Sequence, residues 1–348
     1  MQFLEYNNNL IYHKGSNINI DQTNILFLDY DGTIIVQKNG KMPRMRKSDD
    51  WKFFSENVKT VLEGYDGICV IVSNQKNLSG DRKTGFINQI SNVFSHIKFQ
   101  KNPWIFAAIG DDFIYRKPST GIIDVLAELT EFNPVEGDFM YIGDACGRTE
   151  DHSSCDLHFA ENLGWKFSTP EMFFNQSTNN IPPHFNIFTL QPQTMQIPII
   201  PNNIKILFLQ GAPASGKTTI AKKLSQFYRI NQDELKTLSK CVKMAKTKLE
   251  EGHKIIIDRT NPDIESMMPF IELDANYGIL TIKIDKWMNK HLNCYRAWRN
   301  DEKRIPEIVY NIYWKKYAKP RLEDGYKWIG EVEWKMEEEM DGFKRYFF

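Results

Sequence analysis

Two apolar runs, Ile25-Leu26-Phe27-Leu28 and Ile206-Leu207-Phe208-Leu209, each break into a loop suited to phosphate. The first leads into Asp29-Tyr30-Asp31-Gly32-Thr33, and the second leads into Gly-Ala-Pro-Ala-Ser-Gly-Lys-Thr-Thr at 211–219. The pattern recurs along the chain. Residues 68–72 run into Ser73-Asn74-Gln75, 139–142 into Gly143-Asp144, 255–257 into Asp258, and 279–284 into Asp285. Helical spacing fills the intervals, as in 121–129, where Ile122, Val125, Leu126 and Leu129 share a face. Strand, loop, helix in repetition predicts an α/β fold of two domains, each a parallel sheet flanked by helices. Ligands are then expected beyond the carboxyl ends of the strands, where these loops fall.

A chain of 348 residues accommodates two domains of ordinary size. Residues 175–203 divide them, with five of the fifteen prolines, many Asn and Gln, and no Asp, Glu, Lys or Arg. That composition reads as an extended linker, free or packed along a domain, with domains at 1–174 and 204–348. No apolar run approaches bilayer length, and no basic stretch precedes an apolar core at the start, so neither a membrane partner nor secretion is expected. Five cysteines without a CxxC pair read as reduced thiols of an intracellular protein, nuclear or cytoplasmic. A monomer is expected.

The net charge of zero conceals an uneven distribution. Residues 286–321 carry ten Lys or Arg against three acids, 331–341 reverse the sign, and Lys38, Lys41, Arg44, Arg46 and Lys47 cluster after the first motif. Solvated faces explain such runs, but their position beside phosphate motifs favours a polyanionic substrate.

The first motif fits phosphate removal. Asp29 can attack phosphorus to form an acyl-phosphate, and Asp31 can protonate the leaving oxygen and then activate water. Ser73 can bond a phosphoryl oxygen and Lys117 can neutralise charge, while Asp29, Asp31 and Asp144 form the expected Mg²⁺ set. Asp151 and Asp156 fit either a supporting metal role or an ordinary polar loop.

The second motif fits phosphate donation. Gly211, Ser215, Gly216, Lys217, Thr218 and Thr219 form a P-loop cradle for ATP, with Lys217 on the transferred phosphate and Thr218 on Mg²⁺. Ile220, Leu224 and Phe227 extend a helical period behind the loop. Asp233 is the expected base for the acceptor hydroxyl, and Asp258 would organise the metal's waters or the acceptor. Arg296 and Arg299 are expected as a lid over the triphosphate, with solvated arginines as the plain alternative.

DYDGT, SNQ, RKP and GDACGR resemble the four motifs of the haloacid dehalogenase superfamily over roughly 25–165. With SDDWKFF, YRKPSTG, DHSSCDLHFAENLG, GAPASGKTT and DRTNP added, the chain resembles the bifunctional polynucleotide kinase 3'-phosphatases from Asn9 onward. That resemblance implies a haloacid dehalogenase-like Rossmannoid domain followed by a P-loop kinase domain. It also implies healing of strand-break ends, on DNA with RNA left open, and Asp233 as activator of the 5'-hydroxyl with Arg299 as the lid arginine. Gln232 stands where the family usually has Arg, and Lys236 is a substitute point charge. Mammalian members begin with a phosphopeptide-binding module, which is not expected here. The rivals are a fused metabolite phosphatase and kinase, and an inactive end-binding scaffold. The short interval from Thr33 to Trp51 leaves no room for a large cap, which favours an open site for a polymer end.

Overall fold

The computed structural model describes residues 1–20, 23–39, 46–110, 114–178 and 180–348. Lys41 and Arg44, expected in a basic cluster, lie outside the described residues. The chain divides into two compact units, Met1–Ile187 together with Arg345–Phe348, and Phe188–Lys344.

The first unit is built on a seven-stranded sheet in the order Leu4–Asn7, Leu10–His13, Trp104–Ala108, Ile68–Asn74, Ile25–Leu28, Met140–Ile142, Lys166–Ser168. The last five strands are parallel, and the first two add an antiparallel edge hairpin. Ile25–Leu28 sits among parallel neighbours and is buried throughout, which is why it reads as a continuous apolar run. Its side chains still alternate by face. Leu26 and Leu28 pack with Phe86, Ile90 and Leu62 on one side, and Ile25 and Phe27 pack with Ile122, Leu126 and Phe159 on the other. The interval after the first motif forms a small hairpin, Ile35–Val36 with Lys52–Phe53.

The second unit holds five parallel strands in the order Tyr228–Asn231, Ile255–Asp258, Ile206–Gln210, Tyr277–Lys283, Trp328–Glu333. Leu207, Leu209 and Leu280 pack with Ile220 and Leu224 on one face, while Phe208, Ile257 and Ile279 meet Cys241, Ala245 and Phe270 on the other. The helix behind the P-loop is shorter than its apolar period suggests. It spans Lys217–Lys223, Leu224 leaves helical geometry, and Phe227 reaches the same core from the following turn.

After the helix Pro170–Asn175, residues 176–203 contain a single short turn of 3₁₀ helix, Ile187–Thr189, among the described residues. The segment is packed rather than free. Thr169 Oγ1 donates to Asn180 Oδ1 at 2.9 Å in the first unit, and Gln193 N donates to Met336 O at 2.7 Å in the second. The residues Arg345–Phe348 belong to the first unit. Tyr346 stacks on His158 with centroids 3.8 Å apart and planes within 4°, and its backbone N–H donates to Asn162 Oδ1 at 2.7 Å. No described helix is long and apolar enough to cross a membrane.

Candidate active sites

In the first unit, Asp29, Ser73 and Asp144 sit at or just past the carboxyl ends of neighbouring strands and line a cavity of ≈ 370 Å³. Lys117 reaches them from a separate loop. Its ammonium is buried and donates to Asp29 Oδ1 at 2.5 Å and to Tyr141 Oη at 2.6 Å, and it lies 2.7 Å from Asp156 Oδ1. Asn74 fixes that loop, accepting from Lys117 N at 2.9 Å and donating to Lys117 O at 3.1 Å. Burial alone would lower the lysine's pKa, but the facing carboxylates Asp156 and Asp29 hold it well above its ordinary value.

Oxygens of Asp29, Asp144 and Asp156 lie within 4.8 Å of one another. Burial, reinforced by mutual repulsion, pushes the Asp29 and Asp144 carboxyls above the usual carboxylate range. Two glycines make the cluster possible. Gly32 adopts φ +78°, and a Cβ there would lie 2.4 Å from the Asp144 carboxyl carbon. A Cβ on Gly143 would lie 2.5 Å from that of Asp156.

Asp156 is the third member of this carboxylate group, and Asp31, expected with Asp29 and Asp144, is not among the three. The side chain of Asp31 lines the same cavity and is held by other partners. Arg46 grips it bidentately at 2.8 and 2.6 Å, and Gln75 Nε2 donates to it at 2.7 Å. Arg46 is thus satisfied within the site, not displayed as part of a basic face, whereas Lys38 and Lys47 are exposed. Asp151 has the plain role: its carboxylate accepts from the N–H groups of Cys146 and Arg148 and from the Arg148 guanidinium. Ser73 lines the cavity, and its Oγ accepts from Gln75 Nε2 at 2.9 Å.

In the second unit a cavity of ≈ 1170 Å³ gathers Ser215, Gly216, Lys217, Thr218, Thr219, Asp233, Asp258, Arg259, Arg296 and Arg299. The loop turns through left-handed backbone at Ala214 and Gly216, φ +57° and +87°. Gly211 begins it, and a Cβ there would lie 2.5 Å from Ser215 Oγ. Lys217 Nζ donates to the carbonyls of Gly211 and Ala212 at 2.9 and 2.6 Å. Burial outweighs the attraction of Asp258 and Asp233 and lowers its pKa to about 8. Thr218 Oγ1 donates to Asp258 Oδ2 at 2.9 Å, and Asn231 and Arg229 donate to the same carboxylate. Asp233 is the second residue of the short helix Gln232–Leu235, which directly follows the strand Tyr228–Asn231.

Arg296 and Arg299 come from the helix Lys286–Asn300. Arg299 Nη1 donates to Tyr295 Oη at 3.3 Å, and Arg296 lies 3.8 Å from Glu302. Lys236, expected as a substitute point charge, is exposed and outside the cavity lining. The cation beside Gln232 is Arg259, whose Nε donates to Gln232 Oε1 at 2.5 Å. The sequence reading missed this residue although it lies within DRTNP; its signal was a charged residue directly after a strand-ending Asp.

The family model described as polynucleotide kinase 3 phosphatase matches residues 24–174. The polynucleotide 3'-phosphatase of Saccharomyces cerevisiae is 27% identical over 208 residues, covering 44% of this chain and 87% of that one. The bifunctional polynucleotide phosphatase/kinase of Schizosaccharomyces pombe is 33% identical over 328 residues, covering 88% of this chain and 79% of its own. Similarity at that level through both units means that the chain belongs to the bifunctional polynucleotide phosphatase/kinase family.

Proposed function

We propose that the chain heals broken nucleic-acid strands, DNA in the first instance, by removing 3'-phosphates in its first unit and phosphorylating 5'-hydroxyls from ATP in its second. The observation that carries this reading is the pair of separate phosphate sites, one per unit, each with its own carboxylates and cations.

In the first site an Asp29 oxygen attacks the 3'-phosphate as the bond to the 3'-oxygen breaks, and Asp31 supplies the proton that the leaving oxygen takes. Asp31 then accepts a proton from the water that cleaves the aspartyl-phosphate and releases phosphate, while Arg46 fixes the orientation of its carboxyl group. Lys117 holds Asp29 in line, and Ser73 lies within the cavity to bond a phosphoryl oxygen. An all-oxygen group of Asp29, Asp144 and Asp156 fits a hard divalent cation such as Mg²⁺, which would offset the charge of the phosphate.

In the second site the loop amides and Lys217 receive the triphosphate of ATP, and Thr218 with Asp258 fits its Mg²⁺. Asp233 takes the proton of the 5'-hydroxyl as that oxygen attacks the terminal phosphorus, the bond from that phosphorus to the β–γ bridging oxygen breaks and ADP leaves, with Arg299 and Arg296 facing the developing charge. The test is a nicked duplex bearing 3'-phosphate and 5'-hydroxyl ends, incubated with Mg²⁺ and ATP. Conversion to a ligatable nick is expected. Faster turnover of small sugar phosphates than of the 3'-phosphorylated strand would replace this reading with the metabolite one.

A further inference from the structure

A 5'-hydroxyl at the end of a polymer arrives with a phosphodiester one nucleoside away, whereas a small alcohol brings none. A site that selects polymers therefore needs a cation on the acceptor side, apart from those on the triphosphate. Among the described residues, the cations lining the kinase cavity are Lys217, Lys223, Arg259, Arg296, Arg299 and Lys335. Lys217 bonds its own loop carbonyls, while Lys223, Lys335 and Arg296 each face a glutamate. Arg299 lies against Tyr295 on the lid helix.

Arg259 is differently placed. The register pairs Asn231 with Asp258, so Gln232 and Arg259 leave adjacent strand ends side by side, and Asp233 follows at once. Arg259 Nε donates to Gln232 Oε1 at 2.5 Å, the guanidinium lies 5.7 Å from the Phe270 ring centre, and Nη1 has one long contact, 3.4 Å, with Ser266 O. No carboxylate lies within ion-pair distance of it among the described residues. A guanidinium oriented by an amide and an aromatic ring, with its fork undirected toward any acid, matches the bidentate geometry of a phosphate. Burial disfavours its charge with no acidic neighbour to compensate, as expected of a cation whose partner comes with the substrate.

We infer that Arg259 binds the phosphodiester next to the 5'-terminal nucleoside of the acceptor strand, and that Gln232 is its positioning residue. This rests on the kinase reading above and adds the source of its preference for polymers.

The test measures ATP-dependent phosphorylation, by the full chain, of two 5'-hydroxyl oligonucleotides. They differ only in whether the first linkage is a phosphodiester or an uncharged methylphosphonate. The wild type is expected to show a KM about 10- to 100-fold higher for the methylphosphonate, the value of one charge-assisted contact. Arg259→Ala should raise KM on the phosphodiester to that level and lose the discrimination. Arg259→Lys should recover part of it, and Gln232→Ala should raise KM with kcat kept. Retained discrimination in Arg259→Ala, or none in the wild type, overturns the inference. If Arg259→Ala no longer binds a fluorescent ATP analogue, the wild-type and Arg259→Lys comparisons decide alone. A wild type that phosphorylates small alcohols and neither oligonucleotide brings down the polynucleotide reading itself.

Discussion

Replacing Lys117 by Met tests the electrostatic design of the phosphatase site most directly. The substitution keeps an apolar stem of similar length and deletes a buried charge that faces Asp29 and Asp156 at 2.5 and 2.7 Å. At an effective dielectric near 20, each contact is worth about 6 kcal/mol of attraction before desolvation is subtracted. Removing one member of a buried ionic group costs about 3–5 kcal/mol net, because the remaining charges stay buried and uncompensated. Here two carboxylates are left, and Asp144 stands beside them, so the upper half of that range is expected. For a unit of this size each kcal/mol moves Tm by roughly 2–4 °C, giving a fall of about 8–20 °C. The assay is thermal unfolding of the phosphatase unit in EDTA, repeated with excess Mg²⁺. The divalent cation should restore part of the loss by taking over the lysine's charge, while 3'-phosphate release stays about 100- to 1000-fold down. A Tm in EDTA within about 2 °C of wild type would refute the argument, since the cluster would then not need its ammonium.

Asp29→Asn should lower 3'-phosphate release by several orders of magnitude and spare 5'-phosphorylation, and Lys217→Ala should do the reverse. Both activities read on one oligonucleotide check this, and parallel loss in either variant contradicts separate sites. Asp156→Asn should raise the Mg²⁺ concentration for half-maximal phosphatase rate by about 10- to 100-fold. An unchanged Mg²⁺ titration would leave Asp156 as the counter-ion of Lys117 alone. Burial holds His158 and His291 down at about 4, below the ordinary 6.5, one in each unit. Between those values the unfolded chain binds protons that the folded chain does not. Their stabilising contribution is therefore complete above about pH 6.5 and is lost as pH falls toward 4, by about 3 kcal/mol each. Denaturant midpoints across that window measure it, and replacing His158 by Phe should flatten the slope for the first unit.

What the sequence made legible is what chemistry keeps local. A strand-ending Asp with a second Asp two residues on, and a Gly-rich loop ahead of Lys and Thr, declare themselves in a few consecutive positions. Partner choice was not local. Arg46 lies in a basic run yet turns inward onto Asp31, fifteen residues earlier. Asp151 and Asp156 sit in one polar stretch, and only the start of the helix Cys155–Leu163 aims the second at the cavity and leaves the first to brace its loop. Arg259 meets Gln232 across 27 positions through a strand register that no periodicity encodes. The edge hairpin Leu4–Asn7 and Leu10–His13 went unseen because four-residue strands carry too little pattern, although Asn7-Asn8-Asn9 marked its turn.

The Tyr346 stack on His158 makes the kinase unit, topologically, an insertion into the phosphatase unit. The two crossing points touch, since Ile187 N donates to Tyr346 Oη at 3.2 Å. During synthesis the phosphatase sheet leaves the ribosome first, but the ring that closes over His158 follows only after the whole insertion. At 5–20 residues per second that delay is roughly 8–30 s. Throughout it His158 and Asn162 lack their Tyr346 partner, so the unit made first is the one completed last.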